Sequence, residues 1–289
     1  MKKKGSRTAD TSAAQRAYYS LYTSGPKVFD DPFAIQLTSP IWRFCLKNKW
    51  IVRFIKRGYD WVKPMIAHHV ARSRYVEECL EELVKKGFTQ FVLLGAGMDS
   101  FVFRRPDLSE KLTVFEIDHP ATQFRKRERM RKQGIAEPGN VRYIPVDFEK
   151  DSLAEKLTDA GFKSNEKALF SWMGVVPYLT EASIMSTLKD LSKIAVPGSE
   201  LIFDVLYNSA FTQDKWTVTE KKLFRSAKRK GEPMITGYEP DDLKRILQET
   251  GFEVTDIISP DDFTEMWFAG KKERLKPWKY TYVARAKVK

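Results

Sequence analysis

The sequence contains few of the side chains that form disulfide frameworks or metal sites. Of its 289 residues, two are cysteine and three are histidine. Cys45 and Cys79 are too few for a disulfide framework, and they lack the close spacing of zinc ligands. We therefore expect reduced thiols, no metal site and a cytoplasmic location.

Long apolar runs are also absent. No run approaches the roughly 20 residues that a helix needs to cross a bilayer. The basic residues 2–4 are followed by a polar stretch, 6–15, instead of the apolar core of a signal peptide. The sequence predicts no membrane span and no secretion, and it gives no indication of oligomeric state.

Acidic residues are outnumbered by lysine and arginine, 38 to 50, which gives a formal net charge of +12. Such a charge attracts anionic partners. The basic residues lie in separate stretches, 47–57, 125–132 and 221–230, interleaved with apolar or acidic residues as on solvated helix faces. We therefore favour an anionic small molecule over nucleic acid as the partner.

Short apolar runs alternate with helix-compatible segments from residue 91 onward. This alternation predicts an α/β fold with a mostly parallel sheet covered by helices on both faces. The last two strands are joined by a polar stretch without a strongly periodic helix, so we expect an antiparallel last strand. The predicted strands are 91–94, 112–117, 141–146, 168–172, 200–205, 252–258 and 280–286. The predicted helices are 100–105, 120–133, 152–160, 181–194 and 241–249.

The chain length predicts a single domain over 1–289. Residues 1–85 are expected to form a helical N-terminal cap on a core of residues 86–289. A polar, basic insertion at 206–240 follows the fifth strand. The cap and the insertion are the segments expected to roof a pocket.

An aromatic and basic stretch, 41–61, lies within the cap. Its aromatic residues are Trp42, Phe44, Trp50, Phe54 and Trp61. The favoured interpretation is a helix that packs its aromatic side on the core and turns its cations to water; the alternative is a helix on a membrane surface.

A glycine turn, Gly95-Ala96-Gly97, directly follows the first predicted strand. Glycines let the backbone turn tightly and approach a ligand. Asp99 would repel the pyrophosphate of a dinucleotide. The turn therefore favours a sulfonium cofactor without phosphate, S-adenosylmethionine, over NAD; a turn that binds no ligand remains the alternative.

Acidic residues end the next two strands. Asp118 is placed to accept both ribose hydroxyls, while Asp147 offers a carboxylate to the adenine amino group and Phe148 a ring to its face. Each alone also fits a surface carboxylate, and Asp118 before Pro120 fits a helix cap. Together they predict an adenosine site along the carboxyl edge of the sheet.

In several segments the chain resembles the leucine carboxyl methyltransferase family. These segments are the glycine turn 95–100, the strand ends 116–120 and 145–148, and residues 6–9, 16–17, 28–34, 71–75 and 171–179. The resemblance implies a Rossmann-like class I methyltransferase fold with seven strands and S-adenosylmethionine as cofactor.

The resemblance also implies residue roles. Arg72 would form a bidentate pair with the methionine carboxylate of the cofactor, with Arg74 in reserve. Tyr178 would line the active site and orient the acceptor oxygen. Met173 replaces a glutamate of the eukaryotic members and would pack against the adenine. Without the family, Arg72 fits a solvated basic turn, Tyr178 fits a packed tyrosine, and Arg16 fits either a cofactor contact or the surface.

Methyl transfer from a sulfonium requires alignment and exclusion of water more than acid–base chemistry. A carboxylate acceptor is already ionised at neutral pH, whereas a phenol or alcohol needs a base. The candidate bases His68, His69 and His119 each fit a structural role better, the first two as a pair on a helix face and the third as a turn residue at a strand end. We therefore expect carboxylate O-methylation of a small molecule. The alternatives are a protein C-terminus, nucleic acid, or cofactor binding without turnover.

Overall fold

The computed structural model describes residues 5–56, 58, 60–271 and 275–289. These residues contain a seven-stranded sheet in the order β3-β2-β1-β4-β5-β7-β6. Strands β1 to β5 pair in parallel, and β7 lies antiparallel between β5 and β6. The predicted α/β fold with an antiparallel last strand is confirmed. The strands are β1 Gln90–Leu94, β2 Thr113–Asp118, β3 Val141–Pro145, β4 Ala168–Trp172, β5 Glu200–Leu206, β6 Phe252–Ile258 and β7 Thr281–Val288.

Two hydrophobic clusters cover the two faces of the sheet. Alternate residues of β1 divide between them: Val92 and Leu94 pack in one cluster, Phe91 and Leu93 in the other. This is the period-two alternation of a strand that is covered on both sides. It explains why β1 reads as a continuous apolar run in the sequence.

Helices pack around the sheet, and a group of N-terminal helices precedes its first strand. The N-terminal helices are α1 Arg7–Tyr22, α2 Ala34–Leu37, α3 Pro40–Lys47, α4 Lys49–Lys56 and α5 Lys63–Lys85. The remaining helices are α6 Phe101–Arg104, α7 Pro106–Ser109, α8 Pro120–Lys132, α9 Leu153–Asp159, α10 Glu181–Ile194, α11 Val218–Arg229, α12 Pro240–Glu249 and α13 Pro260–Phe263. None of the helices in the described ranges is long and apolar enough to cross a membrane.

The interpretation that α3 and α4 pack their aromatic side on the core is wrong for most of that side. Phe44, Trp50 and Phe54 are 65%, 80% and 81% exposed. The buried contacts of α3 are made instead by Leu46, which packs against alanines of α1 and α2, and by the half-buried Trp42 beside it. Val52 is the buried residue of α4. The exposed rings therefore lie on the side of the two helices that does not face the protein.

An ion pair lies buried between α8 and β2. The Lys126 ammonium donates to the Glu116 carboxylate, and both side chains are almost fully buried. Burial raises the pKa of Glu116, while the neighbouring Lys126 opposes that rise. Removing one partner of such a pair leaves an uncompensated buried charge.

We predict that Lys126→Met lowers the free energy of unfolding by about 3 kcal/mol, because Glu116 is left charged and unpaired. Adding Glu116→Leu restores most of this loss. Without the ammonium, Glu116 favours its protonated form in the folded state, so the single variant loses more stability at pH 8 than at pH 5. Urea denaturation at both pH values measures these changes.

Lys132→Met is the matched control, because Lys132 lies on the same helix and pairs with Glu128 at the surface. Its loss should stay below about 1 kcal/mol. Equal losses from the two lysine variants would contradict a special role for the buried pair.

Candidate active site

A cavity of about 540 Å³ lies at the carboxyl ends of the central strands. The strand order reverses between β1 and β4, the position where open α/β sheets bind ligands. α5 supplies one wall, and α1 closes over it. Each site residue predicted from the sequence lines this cavity: Arg72, Gly95, Ala96, Gly97, Asp118, Asp147, Phe148, Met173 and Tyr178.

The glycine turn is fixed by β2 and by close packing. The amides of Gly95 and Ala96 both donate to the carbonyl of Ile117, at 2.8 and 2.9 Å. Gly95 has a φ of +71°, and a Cβ there would lie 2.2 Å from a methyl carbon of Val175. Only glycine fits at this position.

Asp118 joins the glycine turn to the end of β2. One carboxylate oxygen accepts from the amide of Gly97, and the other accepts from the amide of His119 at 2.6 Å. Burial raises the pKa of Asp118 to about 7, although both amides act to lower it. The carboxylate therefore changes charge close to neutral pH.

The end of β3 contributes Asp147 and Phe148. The Asp147 carboxylate accepts from the amide of Glu149 at 3.3 Å and lies 3.3 Å from the ammonium of Lys150. The ring of Phe148 packs on the core, 6.2 Å from the ring of Trp172. A carboxylate and an aromatic face thus stand side by side at the rim of the cavity.

A residue missed by the sequence analysis, Asp204 of β5, anchors Arg72. Its carboxylate accepts from Arg72, from His68 at 3.0 Å and from the amide of Gly174 at 2.5 Å. Burial alone would raise the pKa of Asp204, but Arg72 and His68 hold it well below its usual range. Asp204 is therefore an anion that fixes the position of the guanidinium.

Gly174 makes room for this arrangement. Its φ is +72°, and a Cβ there would lie 2.8 Å from a terminal guanidinium nitrogen of Arg72. The preceding residue, Met173, is half-buried and packs on the core. Since Trp172 pairs with Phe203 across β4 and β5, Asp204 lies beside Met173. A carboxylate therefore stands next to Met173, on the neighbouring strand.

Tyr178 follows β4 in a short 3₁₀ turn, Val176–Tyr178. Burial raises the pKa of its phenol well above the usual value, Glu232 adds to the rise, and Thr8 forms a hydrogen bond with it. The phenol therefore stays protonated at neutral pH and acts as a hydrogen-bond donor.

The three histidines line the same cavity. His68 uses both ring nitrogens, one on Asp204 and the other on the hydroxyl of Thr281 at 3.0 Å. Burial lowers the pKa of His69 well below its usual value. His119 accepts from the amide of Ala121 at 3.2 Å and caps α8.

The remaining arginine candidates have structural partners. Arg16 is buried and pairs with Asp31 at 2.9 Å, which fixes α1 to the segment before α2. Arg74 is largely exposed and pairs with Glu78 at 2.5 Å along α5. Of the two arginines suggested on α5, only Arg72 lies against the cavity.

Comparison with known proteins identifies the family. The model of the leucine carboxyl methyltransferase family matches residues 9–192. The chain belongs to this family. A relative in Bacillus subtilis (strain 168), described as "Putative S-adenosyl-L-methionine-dependent methyltransferase YktD", is 32% identical over 95% of each chain. A relative in Mycobacterium avium (strain 104), described as "Putative S-adenosyl-L-methionine-dependent methyltransferase", is 26% identical over 70% of this chain and 64% of its own. The protein is an S-adenosylmethionine-dependent methyltransferase.

Solved structures share the fold. A methyltransferase structure from Thermobifida fusca YX has a TM-score of 0.60 at 14% identity, over 99% of this chain and 96% of that one. A DUF574 family protein from Streptomyces avermitilis has a TM-score of 0.59 at 14% identity, over 96% and 97%. At this identity the comparison supports the fold alone.

We predict that Gly174→Ala weakens binding of S-adenosylhomocysteine to this methyltransferase by about tenfold or more, because the new methyl group displaces the Arg72 guanidinium. Gly198→Ala is the matched control. Its φ is also positive, +89°, but its Cβ would make only ordinary contacts, at 3.5 Å or more. Gly174→Ala should lose more stability than Gly198→Ala, because displacing Arg72 weakens its buried pair with Asp204. Only Gly174→Ala should lose affinity in calorimetric titration of the folded variants. Equal affinities would contradict this account.

Proposed function

We propose that this methyltransferase transfers a methyl group to a carboxylate oxygen of a small anionic molecule. The observation that carries the proposal is the state of the acid–base groups around the cavity. Among the described tyrosine and histidine side chains that line it, Tyr178 is held protonated, His68 and His119 are engaged by protein groups, and the lowered pKa of His69 makes it a weak base. The family, leucine carboxyl methyltransferase, supports the same chemistry.

The cavity residues fit the cofactor group by group. Arg72 uses Nη1 on Asp204, and in the described part of the chain its Nε and Nη2 donate to no protein group. These two donors suit the methionine carboxylate. Asp118 suits the ribose hydroxyls, and the turn Gly95-Ala96-Gly97 lets the backbone approach the cofactor. Asp147 suits the adenine amino group. Phe148 and Met173 suit the two faces of the adenine ring. When bound, S-adenosylmethionine supplies an electrophilic methyl group on a sulfonium.

A carboxylate acceptor suits the remaining groups. The phenol of Tyr178 is held protonated, so it can orient an acceptor oxygen by donating a hydrogen bond but cannot deprotonate one. His68 has a partner on each ring nitrogen, and His119 is engaged as a cap. A carboxylate needs no base, since it is ionised well below neutral pH.

A contact that partly covers the cavity supports a small acceptor. The amide of Thr8 on α1 donates to the Glu232 carboxylate at 2.9 Å, and the Thr8 hydroxyl donates to the same oxygen. This contact joins the N-terminal helix to the segment after α11 above the cavity. Two donors on one oxygen reduce the repulsion between Glu232 and an anionic acceptor.

The first test is an acceptor screen with labelled S-adenosylmethionine, comparing small carboxylic acids with their amides and with phenols. Turnover of acids alone, with label released as volatile methanol in alkali, is the expected result. A peptide with a free or amidated C-terminus tests the protein-tail alternative. Alkali-stable methylation of a phenol or amine would overturn the proposal.

Tyr178→Phe should lower kcat while leaving the affinity for S-adenosylhomocysteine unchanged, because the variant removes only the hydroxyl. Tyr207→Phe is a matched control, since Tyr207 lies outside the cavity lining. A lower affinity with unchanged kcat would instead assign Tyr178 to cofactor binding.

We also predict that affinity for S-adenosylhomocysteine falls about tenfold between pH 8 and pH 6. Asp118 has a pKa of about 7 and accepts ribose hydroxyls best when ionised, so affinity is lost as pH decreases through that value. Asp118→Asn should bind weakly at both pH values and lose the pH dependence. Asp147→Asn is the comparison, and it should keep the pH dependence. An unchanged slope in Asp118→Asn would contradict the assignment.

A further inference from the structure

The outer surface of α3 and α4 presents an unusual combination of side chains. Ile41 and Phe44 of α3 are 76% and 65% exposed, and Trp50 and Phe54 of α4 are 80% and 81% exposed. On each helix the two apolar residues are three or four positions apart, so they lie on one stripe. We call these four residues the apolar patch.

Basic residues lie close to the apolar patch in sequence, and no acidic residue lies among them. Lys47, Lys49 and Arg53 are exposed, and none of the three forms an ion pair within the described chain. Residues 32–59 contain no aspartate or glutamate. The whole surface is therefore apolar and positively charged.

Hydrogen bonds join α3 to α2 and cap α4, although the protein does not cover the outer side of either helix. Arg43 donates to the carbonyls of Ile35 and Gln36, at 3.2 and 2.6 Å, and fixes α3 to the end of α2. The Asn48 side chain accepts from the amide of Trp50 at 3.0 Å and caps α4. The patch is thus built on two helices with defined hydrogen-bond contacts at their starts.

We propose that α3 and α4 dock this methyltransferase onto an anionic membrane surface. A helix that lies in the interface buries bulky apolar side chains among the lipids while Lys and Arg meet anionic headgroups. Tryptophan suits this boundary because its ring is apolar and its N–H is polar. Neither helix spans the bilayer.

Charge argues against the patch as a twofold interface. In a twofold dimer the same patch meets itself, so Lys47, Lys49 and Arg53 would face the same cations on the second copy. A bilayer with anionic lipids offers the opposite charge over the whole surface.

Docking would place α1 close to the lipid surface. A second cavity beside α1 is lined by Ile41 and Trp42 of α3 as well as by Asp10 and Gln15 of α1. The opposite side of α1 lines the active-site cavity through Ser12 and Arg16. One helix therefore separates the apolar patch from the active site.

The test is vesicle co-sedimentation of the full chain with phosphatidylcholine alone and with added phosphatidylglycerol. We expect binding to the mixed vesicles, weak binding to the neutral ones, and a decrease with salt. Trp50→Ser with Phe54→Ser should reduce binding by more than about tenfold, with S-adenosylhomocysteine affinity unchanged. Lys47→Glu, Lys49→Glu and Arg53→Glu combined should do the same.

Two control variants separate the patch from the general charge of the chain. The first control, Val218→Ser with Met266→Ser, removes exposed apolar groups outside the apolar patch. The second combines Lys189→Glu, Lys193→Glu and Lys221→Glu, which makes the same change of charge on other helices. Both should bind vesicles like the parent. Failure of the parent to bind, or equal losses in patch and control variants, would overturn the proposal. A dimer that becomes monomeric in Trp50→Ser with Phe54→Ser, without vesicle binding, would assign the patch to self-association instead.

Discussion

The Asp204 carboxylate lies between α5 and the ends of β4 and β5, where Arg72, His68 and the amide of Gly174 all donate to it. An ion that is removed from water is tolerated only when its hydrogen-bonding capacity is satisfied. This requirement fixes three elements relative to one another. Arg72 cannot shift without leaving a buried charge unpaired, so the free edge of its guanidinium keeps one direction toward the cavity. A bidentate carboxylate site needs such a fixed donor pair.

The same burial that fixes the site also limits its chemistry. Low solvent access raises the pKa of Tyr178 and lowers the pKa of His69, so both stay neutral at physiological pH. The protonated phenol can donate a hydrogen bond to an acceptor, and the lowered pKa of His69 makes its imidazole a weak base. Methyl transfer from a sulfonium gains most from alignment and from exclusion of water. A cavity with few strong bases is therefore suited to an acceptor that arrives already ionised.

Local patterns in the sequence predicted the sheet and the groups at its edge. Parallel strands end at one edge, so Asp118 and Asp147 could be placed together without knowing the strand order. Asp204 was missed because its role depends on the pairing of β5 with β4 and on the packing of α5, which no local pattern specifies. The one available signal was an acidic residue inside the apolar run of β5. The exposure of Trp50 and Phe54 was missed for a similar reason, since amphipathicity shows that a helix has two sides but not which side meets the protein.

Met173 stands at a position where the sequence departs from the eukaryotic members, beside a carboxylate on the neighbouring strand. The eukaryotic members that the chain resembles have a glutamate at this position, and the substitution in the sequence suggests that a carboxylate is lost. Neighbouring parallel strands lie about 4.8 Å apart, and continuing the pairing of Trp172 with Phe203 by one residue puts Asp204 of β5 opposite Met173. The side chain of Arg72 reaches Asp204. The thioether of Met173 is then available to pack as an apolar group. A site of this kind is better compared by the positions of its charges than by the residue at one aligned position.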